Sequence, residues 1–326
     1  MRKLFTFLAG AALTALLAGP VQAETELKLG HVGNPGSLYE MVSQEYAKRI
    51  NEKLAGKYKV VVFGSSQLGP DKDMMQKLKL GQIDLSLPST IMSSVAPEFG
   101  VFEMPYVIQD RPHMKRVSDE LLDSVFQPAV KAKGYRILAI WENGFRHITN
   151  NVRPINKPED LKGIKLRTPK GEWRVKMFQA YGANPTPMAF SEVFTALKTG
   201  VMDGQENPFV QIHSAKFQEV QKYLSLTGHV YSPVYLAAGE DKFSKLPQDV
   251  QKLLTDTARE LQAWVYTKAA ELDETLFTDL KAKMEVNTPD KDAFIKASGS
   301  IYEDFGSQVK GGKELIDKIL SLRAKS

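Results

Sequence analysis

The amino-acid sequence predicts an α/β fold of two lobes with a long C-terminal helix that spans both of them. Three observations lead to this prediction. The chain of 326 residues is long enough that two lobes are favoured over one. Strand-like and helix-like segments alternate through its first ninety residues. The interval between Pro247 and Pro289 contains no internal proline or glycine, which is typical of a long helix.

The first 23 residues have the pattern of an export signal. Arg2 and Lys3 are followed by an apolar run over residues 4–19 and by small residues that end at Ala23. We expect cleavage after Ala23, which leaves a chain of 303 residues and lowers the net charge from +5 to +3. A retained membrane anchor is the alternative, disfavoured by the cleavage site and by the shortness of the apolar run.

The first part of the exported chain predicts a parallel sheet covered by helices. Strands are predicted at residues 26–31, 59–63 and 83–87, and helices at 37–54 and 71–80. In such sheets ligands bind beyond the carboxyl ends of the strands. The loops at 31–37, 65–71 and 88–93 are therefore candidate parts of a binding site.

A second unit begins near residue 135. Strands are predicted at 135–141, 144–151 and 164–168, and helices at 171–181 and 191–198, with Ser191 as a helix cap. The approximate lobe boundaries that follow are 24–143 plus 233–262 for lobe I, and 144–232 plus 263–326 for lobe II.

The interval 247–289 is predicted to be one helix. Apolar residues recur through it at helical spacing, and Pro247 suits a first helical turn. At 1.5 Å per residue the helix would be roughly 50 Å long, which exceeds the width of one lobe. The alternative is two helices separated by an unmarked break.

Composition and motifs argue against several classes of protein. Positive and negative charges are well mixed, so nucleic acid is not an expected partner. The chain has no cysteine, and no two of its five histidines are three to five positions apart, so neither a metal nor a cofactor is expected. No catalytic motif or paired acid and base stands out, and we expect a monomer without enzymatic activity.

The positive evidence concerns anion binding. Arg167 ends a predicted strand and precedes Thr168 and Pro169, and the proline keeps the chain extended there. A guanidinium at that point can bind a carboxylate through two parallel hydrogen bonds. Arg146 occupies a similar strand-edge position, and Asn207 is held extended by the proline that follows it. On this pattern alone, structural salt bridges and a simple turn remain the more common explanations.

Several longer motifs carry a resemblance to a known family. They are GANPTPMAFSEVF at 182–194, DGQENP at 203–208, VQKY at 220–223, GIKLRTP at 163–169, SQLG at 66–69, GQID at 81–84 and MPY at 104–106. Together they resemble the DctP-type substrate-binding proteins of tripartite ATP-independent periplasmic (TRAP) transporters. The resemblance spans essentially the whole exported chain. It implies a periplasmic binding protein fold, a periplasmic location, a small organic acid as ligand and the transporter's membrane subunits as partners.

The resemblance also implies roles for individual residues. Arg167 corresponds to the arginine that grips the ligand carboxylate, Arg146 to a second arginine, Asn207 to a pocket asparagine and Phe190 to an aromatic that packs on the ligand. Further pocket positions are expected at Asp71, Ser89, His31, Lys170, Glu172 and Trp173. Ser89 and Val32 depart from the sialic-acid-binding members, which places that ligand in doubt.

The expected pocket favours a hydroxylated monocarboxylate, such as a uronate or an aldonate. A C4-dicarboxylate, or a keto or hydroxy acid, is the alternative, and a dicarboxylate would need a second cation from Lys170 or Arg174. Two alternatives from other classes stay open at this point. One is a ligand sensor for a signalling partner, and the other is a periplasmic enzyme that acts on such acids.

Overall fold

The computed structural model describes residues 24–324, so the predicted export signal lies outside the described residues. The strands are β1 (Thr25–Gly30), β2 (Tyr58–Phe63), β3 (Leu85–Ser86), β4 (Tyr135–Asn150), β5 (Lys165–Thr168), β6 (Asn184–Pro187), β7 (Gly204–Asn207), β8 (Tyr223–Gly239) and β9 (Glu285–Asn287). The helices are α1 (Leu38–Leu54), α2 (Asp71–Lys79), α3 (Arg111–Leu121), α4 (Gln127–Lys131), α5 (Glu172–Ala180), α6 (Val193–Lys198), α7 (Phe209–Ser214), α8 (Glu240–Phe243), α9 (Gln248–Lys283), α10 (Lys291–Ala297), α11 (Gly299–Gln308) and α12 (Gly312–Ser321).

The predicted parallel sheet of the first lobe is confirmed. β1 lies between β2 and β3 and is parallel to both. The side chain of Ser37 caps α1 by accepting a hydrogen bond from the backbone N–H of Glu40, as its position before an amphipathic segment predicts. The loops after β1, β2 and β3 therefore leave the sheet at the same edge, where a ligand can be bound.

The strands of the second lobe continue the same nine-stranded sheet, whose order is β2-β1-β3-β8-β4-β7-β5-β6 with β9 paired to β8. β5 lies between β6 and β7 and is parallel to both, and β7 pairs antiparallel with β4. The predicted helix at 191–198 differs in detail, because Phe190–Glu192 forms a 3-10 turn and α6 begins at Val193. Ser191 is therefore not its cap. The carboxylate of Glu192 instead accepts the backbone N–H of Ala189.

Two long antiparallel strands join the lobes. The sequence predicts separate strands on either side of residue 143, but β4 runs without a break from Tyr135 to Asn150. Its partner β8 is equally long and was not predicted. Gly144 has a positive φ of 125° where the pairing shifts register, so this glycine accommodates a bulge within one continuous strand.

The long helix α9 is continuous, so the prediction of one helix is confirmed and the alternative of two helices is wrong. Its 36 residues make it about 54 Å long. Near its start the hydroxyl of Tyr46 donates to the carbonyl oxygen of Leu254, and near its end Asp279 Oδ2 lies 2.8 Å from His213 Nε2. The helix thus contacts α1 in one lobe and α7 in the other.

Most of the buried apolar side chains form one core that extends through both lobes, and a second cluster packs beneath α6 and α7. Trp141 is fully buried in the large core, and its indole Nε1 donates to the carbonyl oxygen of Ala258 in α9 at 2.8 Å. This contact ties the helix to β4.

No helix within residues 24–324 is both long and apolar enough to cross a membrane.

Candidate ligand-binding cleft

A cavity of about 60 Å³ lies between the lobes. It is several times larger than the roughly 10–15 Å³ that one water molecule requires. Its walls come from the loops after β1 and β3, the start of α2, and β4, β5, β7 and α7. The lining includes Val32, Tyr39, Asp71, Lys72, Ser89, Thr90, Asn143, Arg146, Arg167, Lys170, Met188, Phe190, Asn207 and Gln211.

Arg167 is the central cation of this cavity. It lies on β5 and its side chain is almost completely buried. Its Nε and Nη2 atoms both donate to the carbonyl oxygen of Met188, at 3.1 and 2.6 Å. Within residues 24–324 no carboxylate forms a salt bridge with it, although burying an uncompensated charge is costly. Arg167 therefore carries a buried positive charge that Glu206 and Asp71 offset only from beyond salt-bridge distance.

The two neighbouring arginines already have carboxylate partners, since both bind Glu206 and Arg174 also lies 4.0 Å from Glu103. Arg146 donates to Glu206 Oε1 at 2.9 Å, and Arg174 Nη1 donates to Glu206 Oε2 at 2.7 Å. His229 Nε2 lies 3.1 Å from the same oxygen. Burial alone would raise the pKa of Glu206, but Arg146 and Arg174 hold it well below its usual range. Glu206 is therefore an ionised carboxylate shared by two buried arginines.

The surroundings of Arg167 favour an anion. Burial and the nearby positive charge of Arg146 lower the pKa of Arg167 to about 9, so it remains protonated at neutral pH. Burial thus disfavours the charged form of the Arg167 guanidinium, and a bound carboxylate would favour that charged form. Arg174 is not available as a second ligand cation, because its side chain is fully buried against Glu206 and Glu103.

Asp71 begins α2 on the wall of the first lobe. Burial raises the pKa of Asp71 to about 7, and the charge of Arg167 opposes that rise. Near neutral pH the carboxyl group is therefore present in both protonation states. When protonated, it can donate a hydrogen bond to a ligand oxygen and removes a negative charge that would repel an anion.

The structure brings seven of the ten predicted site residues to the cavity. These are Arg167, Arg146, Asn207, Phe190, Asp71, Ser89 and Lys170. The Nδ2 of Asn207 donates to Gln205 Oε1, so its own amide oxygen is left to face the cavity. Phe190 is partly exposed and packs edge-on against Phe217, with its ring at the cavity wall. Ser89 donates its hydroxyl to the carbonyl oxygen of Pro233 at 2.7 Å, and can accept a hydrogen bond from a ligand.

Three predicted residues do not line the cavity. His31 is completely buried behind it, with Nε2 3.1 Å from Glu40 Oε2, and burial lowers its pKa. Glu172 is exposed and pairs with Lys176. Trp173 is 4 % exposed and packs edge-on against Phe305 in α11. The expectation that these three residues face the cleft is therefore not met. The first turn of α5 directs Trp173 into the core and Glu172 into solvent, and His31 is directed towards Glu40 in α1.

Among the cavity residues that the sequence analysis did not single out are three with polar groups that matter for the site, Tyr39, Asn143 and Gln211. Tyr39 follows the α1 cap and its hydroxyl faces Ser89. Asn143 precedes the bulge glycine of β4, and Gln211 lies in the first turn of α7, four positions after Asn207. Gln211 could have been found from its position at the start of a helix that follows a site strand. Nothing in the sequence distinguishes Tyr39 from an ordinary core tyrosine.

Within the described residues, no cluster of three or more histidines and carboxylates could hold a metal ion.

The fold and the cleft define a two-lobed solute-binding protein. Comparison with known families is consistent with this, since residues 29–308 match the model of DctP, described as bacterial extracellular solute-binding protein, family 7. The chain belongs to this family, and the resemblance predicted from its motifs is confirmed. The members it matches are binding proteins.

Individual relatives cover nearly all of the chain. The 2,3-diketo-L-gulonate-binding periplasmic protein YiaO of Escherichia coli K12 is 32% identical over 313 residues, 95% of each chain. A TRAP periplasmic solute-binding protein from Polaromonas sp. JS666, solved with D-erythronate bound, is 35% identical with a TM-score of 0.87, covering 93% of this chain and 100% of its own. Another from Sulfurospirillum deleyianum, with bound succinate, is 32% identical with a TM-score of 0.87, covering 93% and 100%.

Proposed function

We propose that the chain is a periplasmic receptor that binds the carboxylate of a small organic acid and delivers the acid to the membrane subunits of a TRAP transporter. One observation carries this proposal, namely that Arg167 is a buried cation without a carboxylate partner among residues 24–324. A ligand carboxylate supplies the missing charge. Cleavage after Ala23, the lobe boundaries given above and a monomeric state belong to the same proposal.

The favoured ligand is a hydroxylated monocarboxylate such as an aldonate or a uronate. Arg146 and Arg174 share Glu206, and Arg174 also lies 4.0 Å from Glu103, so Arg167 is the cation that is left for a ligand carboxylate. The remaining wall presents Asp71, Ser89 and Asn207, whose oxygen atoms suit hydroxyl groups. Two relatives support this class of ligand, since YiaO is a 2,3-diketo-L-gulonate-binding protein and the Polaromonas protein was solved with D-erythronate bound.

A C4-dicarboxylate is the second candidate, and the succinate-bound relative favours keeping it. Lys170 lines the cavity and could bind a second carboxylate, whereas Arg174 is committed to Glu206. The two candidates differ in whether the ligand has a second carboxylate that needs a cation such as Lys170. Replacement of Lys170 by alanine should weaken binding of a dicarboxylate strongly and binding of an aldonate only slightly.

A thermal-shift screen tests the proposal. The protein lacking residues 1–23 is first unfolded, dialysed and refolded to remove any acid from the expression host. It is then mixed with aldonates, uronates, C4-dicarboxylates, keto acids and amino acids. A ligand at a hundred times its Kd adds about 2.7 kcal/mol to the free energy of unfolding. We expect the largest shifts among aldonates or uronates. Shifts confined to amino acids or neutral sugars would contradict the proposal.

The same mixtures distinguish a receptor from an enzyme or a sensor. A receptor leaves its ligand chemically unchanged, so mass spectrometry should recover the added acid intact after overnight incubation. Conversion to a product would instead support an enzyme. Affinity capture with the loaded protein should retain TRAP membrane subunits, and retention of a histidine kinase would support a sensor.

A further inference from the structure

We infer that the side-chain amides of Asn143 and Gln211 form a subsite that recognises a ligand hydroxyl far from the carboxylate. This inference rests on the proposed function, because it concerns the same cavity and the same bound acid. It assigns the selection of polyhydroxylated acids to two residues that the sequence motifs do not include.

The two amides are paired with each other and incompletely satisfied. Both residues line the cavity, and they are only 5 % and 3 % exposed. Gln211 Nε2 donates to Asn143 Oδ1 at 3.1 Å. Gln211 Oε1 is buried and has no hydrogen-bond partner among the described residues. Buried polar atoms in native proteins are nearly always paired, so this acceptor at the cavity wall is open to a hydrogen bond from a ligand.

Local backbone structure explains how these residues reach the cavity. Glu142 pairs with Pro233 and Gly144 pairs with Ser232, so Asn143 is the extra residue of a bulge in β4. Bulges redirect a side chain away from the regular alternation of a strand, and they are frequent beside binding sites. Gln211 is placed by the short connection from Asn207 into α7.

The subsite lies at a useful distance from the carboxylate anchor. Asn143 precedes Arg146 by three residues on β4, which corresponds to about 10 Å along a strand. Arg146 lies next to Arg167 at the anion end of the cavity. An acid held by Arg167 would therefore reach the amide pair with a carbon several bonds away from its carboxylate.

A hydroxyl group fits the pair better than a second carboxylate does. As the amides are oriented, the open atom is the acceptor Oε1 of Gln211, and a hydroxyl can donate to it. If both amides were rotated, the open atom would become the donor Nε2, and a hydroxyl could accept from it. A carboxylate suits only the second arrangement and would be repelled in the first. The pair thus selects a polyol chain.

The experiment compares affinities for an acid and its deoxy analogues. By calorimetry, the wild type is titrated with D-gluconate, D-galactonate and L-gulonate, and the tightest binder is then compared with its 4-, 5- and 6-deoxy analogues. The same titrations are made with Gln211→Met, which keeps the side-chain length and removes the amide. Gln221→Met is the control, because Gln221 is equally buried but does not line the cavity.

We expect one deoxy analogue to bind the wild type at least tenfold more weakly than its parent acid. In Gln211→Met that difference should fall below threefold, because the parent acid loses affinity while the deoxy analogue does not. In the Gln221→Met control the tenfold difference should remain. Gln211→Glu provides a second variant of matched size, in which a carboxylate replaces the amide. This change should lower the affinity for all three aldonates.

The outcomes separate the inference from the proposed function. If the wild type binds an aldonate and the deoxy difference is unchanged in Gln211→Met, the inference is overturned and the receptor function stands. Equal weakening of the parent and deoxy acids would indicate a structural role for Gln211, which also overturns it. Absence of binding by every aldonate and, in the thermal-shift screen, by every uronate would overturn both the inference and the favoured ligand class.

Discussion

At the scale of single residues, the cleft depends on the contrast between three arginines. Glu206 accepts hydrogen bonds from Arg146 and Arg174, and its charge is shared between them. Arg167, one strand away, has only a backbone carbonyl as its partner within residues 24–324. The difference lies in counter-charge, since all three arginines are almost completely buried. A ligand anion is therefore expected at Arg167 and not at the other two.

Replacement of Glu206 by glutamine tests this assignment of charges. The change leaves Arg146 buried without a counter-ion and Arg174 with only Glu103, 4.0 Å away, and breaking a buried ion pair in this way costs about 3–5 kcal/mol. We expect a loss of that size in the free energy of unfolding measured with urea. Glu285→Gln is the control, because its pair with Lys222 is exposed and should contribute less than about 1 kcal/mol. Equal stability of the two variants would contradict the buried network.

Asp71 makes binding depend on pH. Its pKa is raised to about 7, so the carboxyl is largely neutral at pH 6 and largely ionised at pH 8. Ionised Asp71 repels a bound carboxylate, and the affinity of the wild type for an aldonate should fall as the pH rises from 6 to 8. The fall is limited to about tenfold per pH unit above the pKa. In Asp71→Asn calorimetry should show no such trend, and a persisting trend would assign it to another group.

The same pKa predicts how stability changes with pH. The unfolded chain has an aspartate pKa near 3.9, so between roughly pH 4 and pH 7 the folded protein holds more protons than the unfolded one. Asp71 therefore reduces stability as the pH rises through that window. Without ligand, Asp71→Asn should raise Tm relative to the wild type at pH 8 more than at pH 5. An equal effect at both pH values would show that Asp71 is ionised throughout.

Trp173 and Phe190 provide a matched pair of aromatic residues. Trp173 is buried against Phe305, whereas Phe190 is partly exposed at the cavity. Trp173→Ala should lower the free energy of unfolding by about 3–5 kcal/mol and leave the Kd for an aldonate nearly unchanged in the folded protein. Phe190→Ala should do the opposite, weakening binding with a smaller effect on stability. The two variants can be compared by urea unfolding and calorimetry.

At the scale of elements, the sequence predicted those that depend on local periodicity. The helices α1, α2, α5 and α9 and the strands β1, β2 and β5 follow from the spacing of apolar residues and from caps such as Ser37. The sequence predicted two strands, 135–141 and 144–151, where β4 is one strand, because nothing in the sequence shows that Gly144 permits a bulge. β8 was missed because its pairing with β4 is a long-range contact that no local pattern encodes.

The cleft shows the same division between local and long-range information. Arg167 and Asn207 lie at the ends of strands that a following proline terminates, Pro169 and Pro208. Their position at the edge of the sheet can therefore be predicted from the sequence. Trp173 could not be placed, because the face that α5 presents to the core depends on contact with α11. His31 lies at the end of the predicted first strand, but its ring contacts Glu40 in α1, a pairing that no local pattern predicts.

The continuity of α9 can be tested with a proline. Thr267 lies on the exposed side of the helix, near its middle. Thr267→Pro removes a helical hydrogen bond and should cost about 3 kcal/mol or more in the free energy of unfolding. Thr267→Ala, the control, keeps the helix intact and should change stability by less than about 1 kcal/mol. Equal stability of the two variants would indicate a break in the helix at this point.

At the scale of the whole molecule, three elements cross between the lobes. β4, β8 and α9 pass from one to the other without interruption. The cavity is lined from both sides, by Asp71 and Ser89 in the first lobe and by Arg167, Phe190 and Asn207 in the second. A carboxylate bound to Arg167 and contacting Asp71 or Ser89 would link the lobes and favour a closed arrangement.

Calorimetric titration of the tightest-binding acid from the thermal-shift screen into Arg167→Ala tests the central claim most directly. Arg259→Ala is the control, because Arg259 lies on α9 in an exposed pair with Asp123. We predict that Arg167→Ala loses at least a hundredfold in affinity, about 2.7 kcal/mol, and keeps a cooperative unfolding transition. Arg259→Ala should bind like the wild type. Binding by folded Arg167→Ala with wild-type affinity would contradict the account.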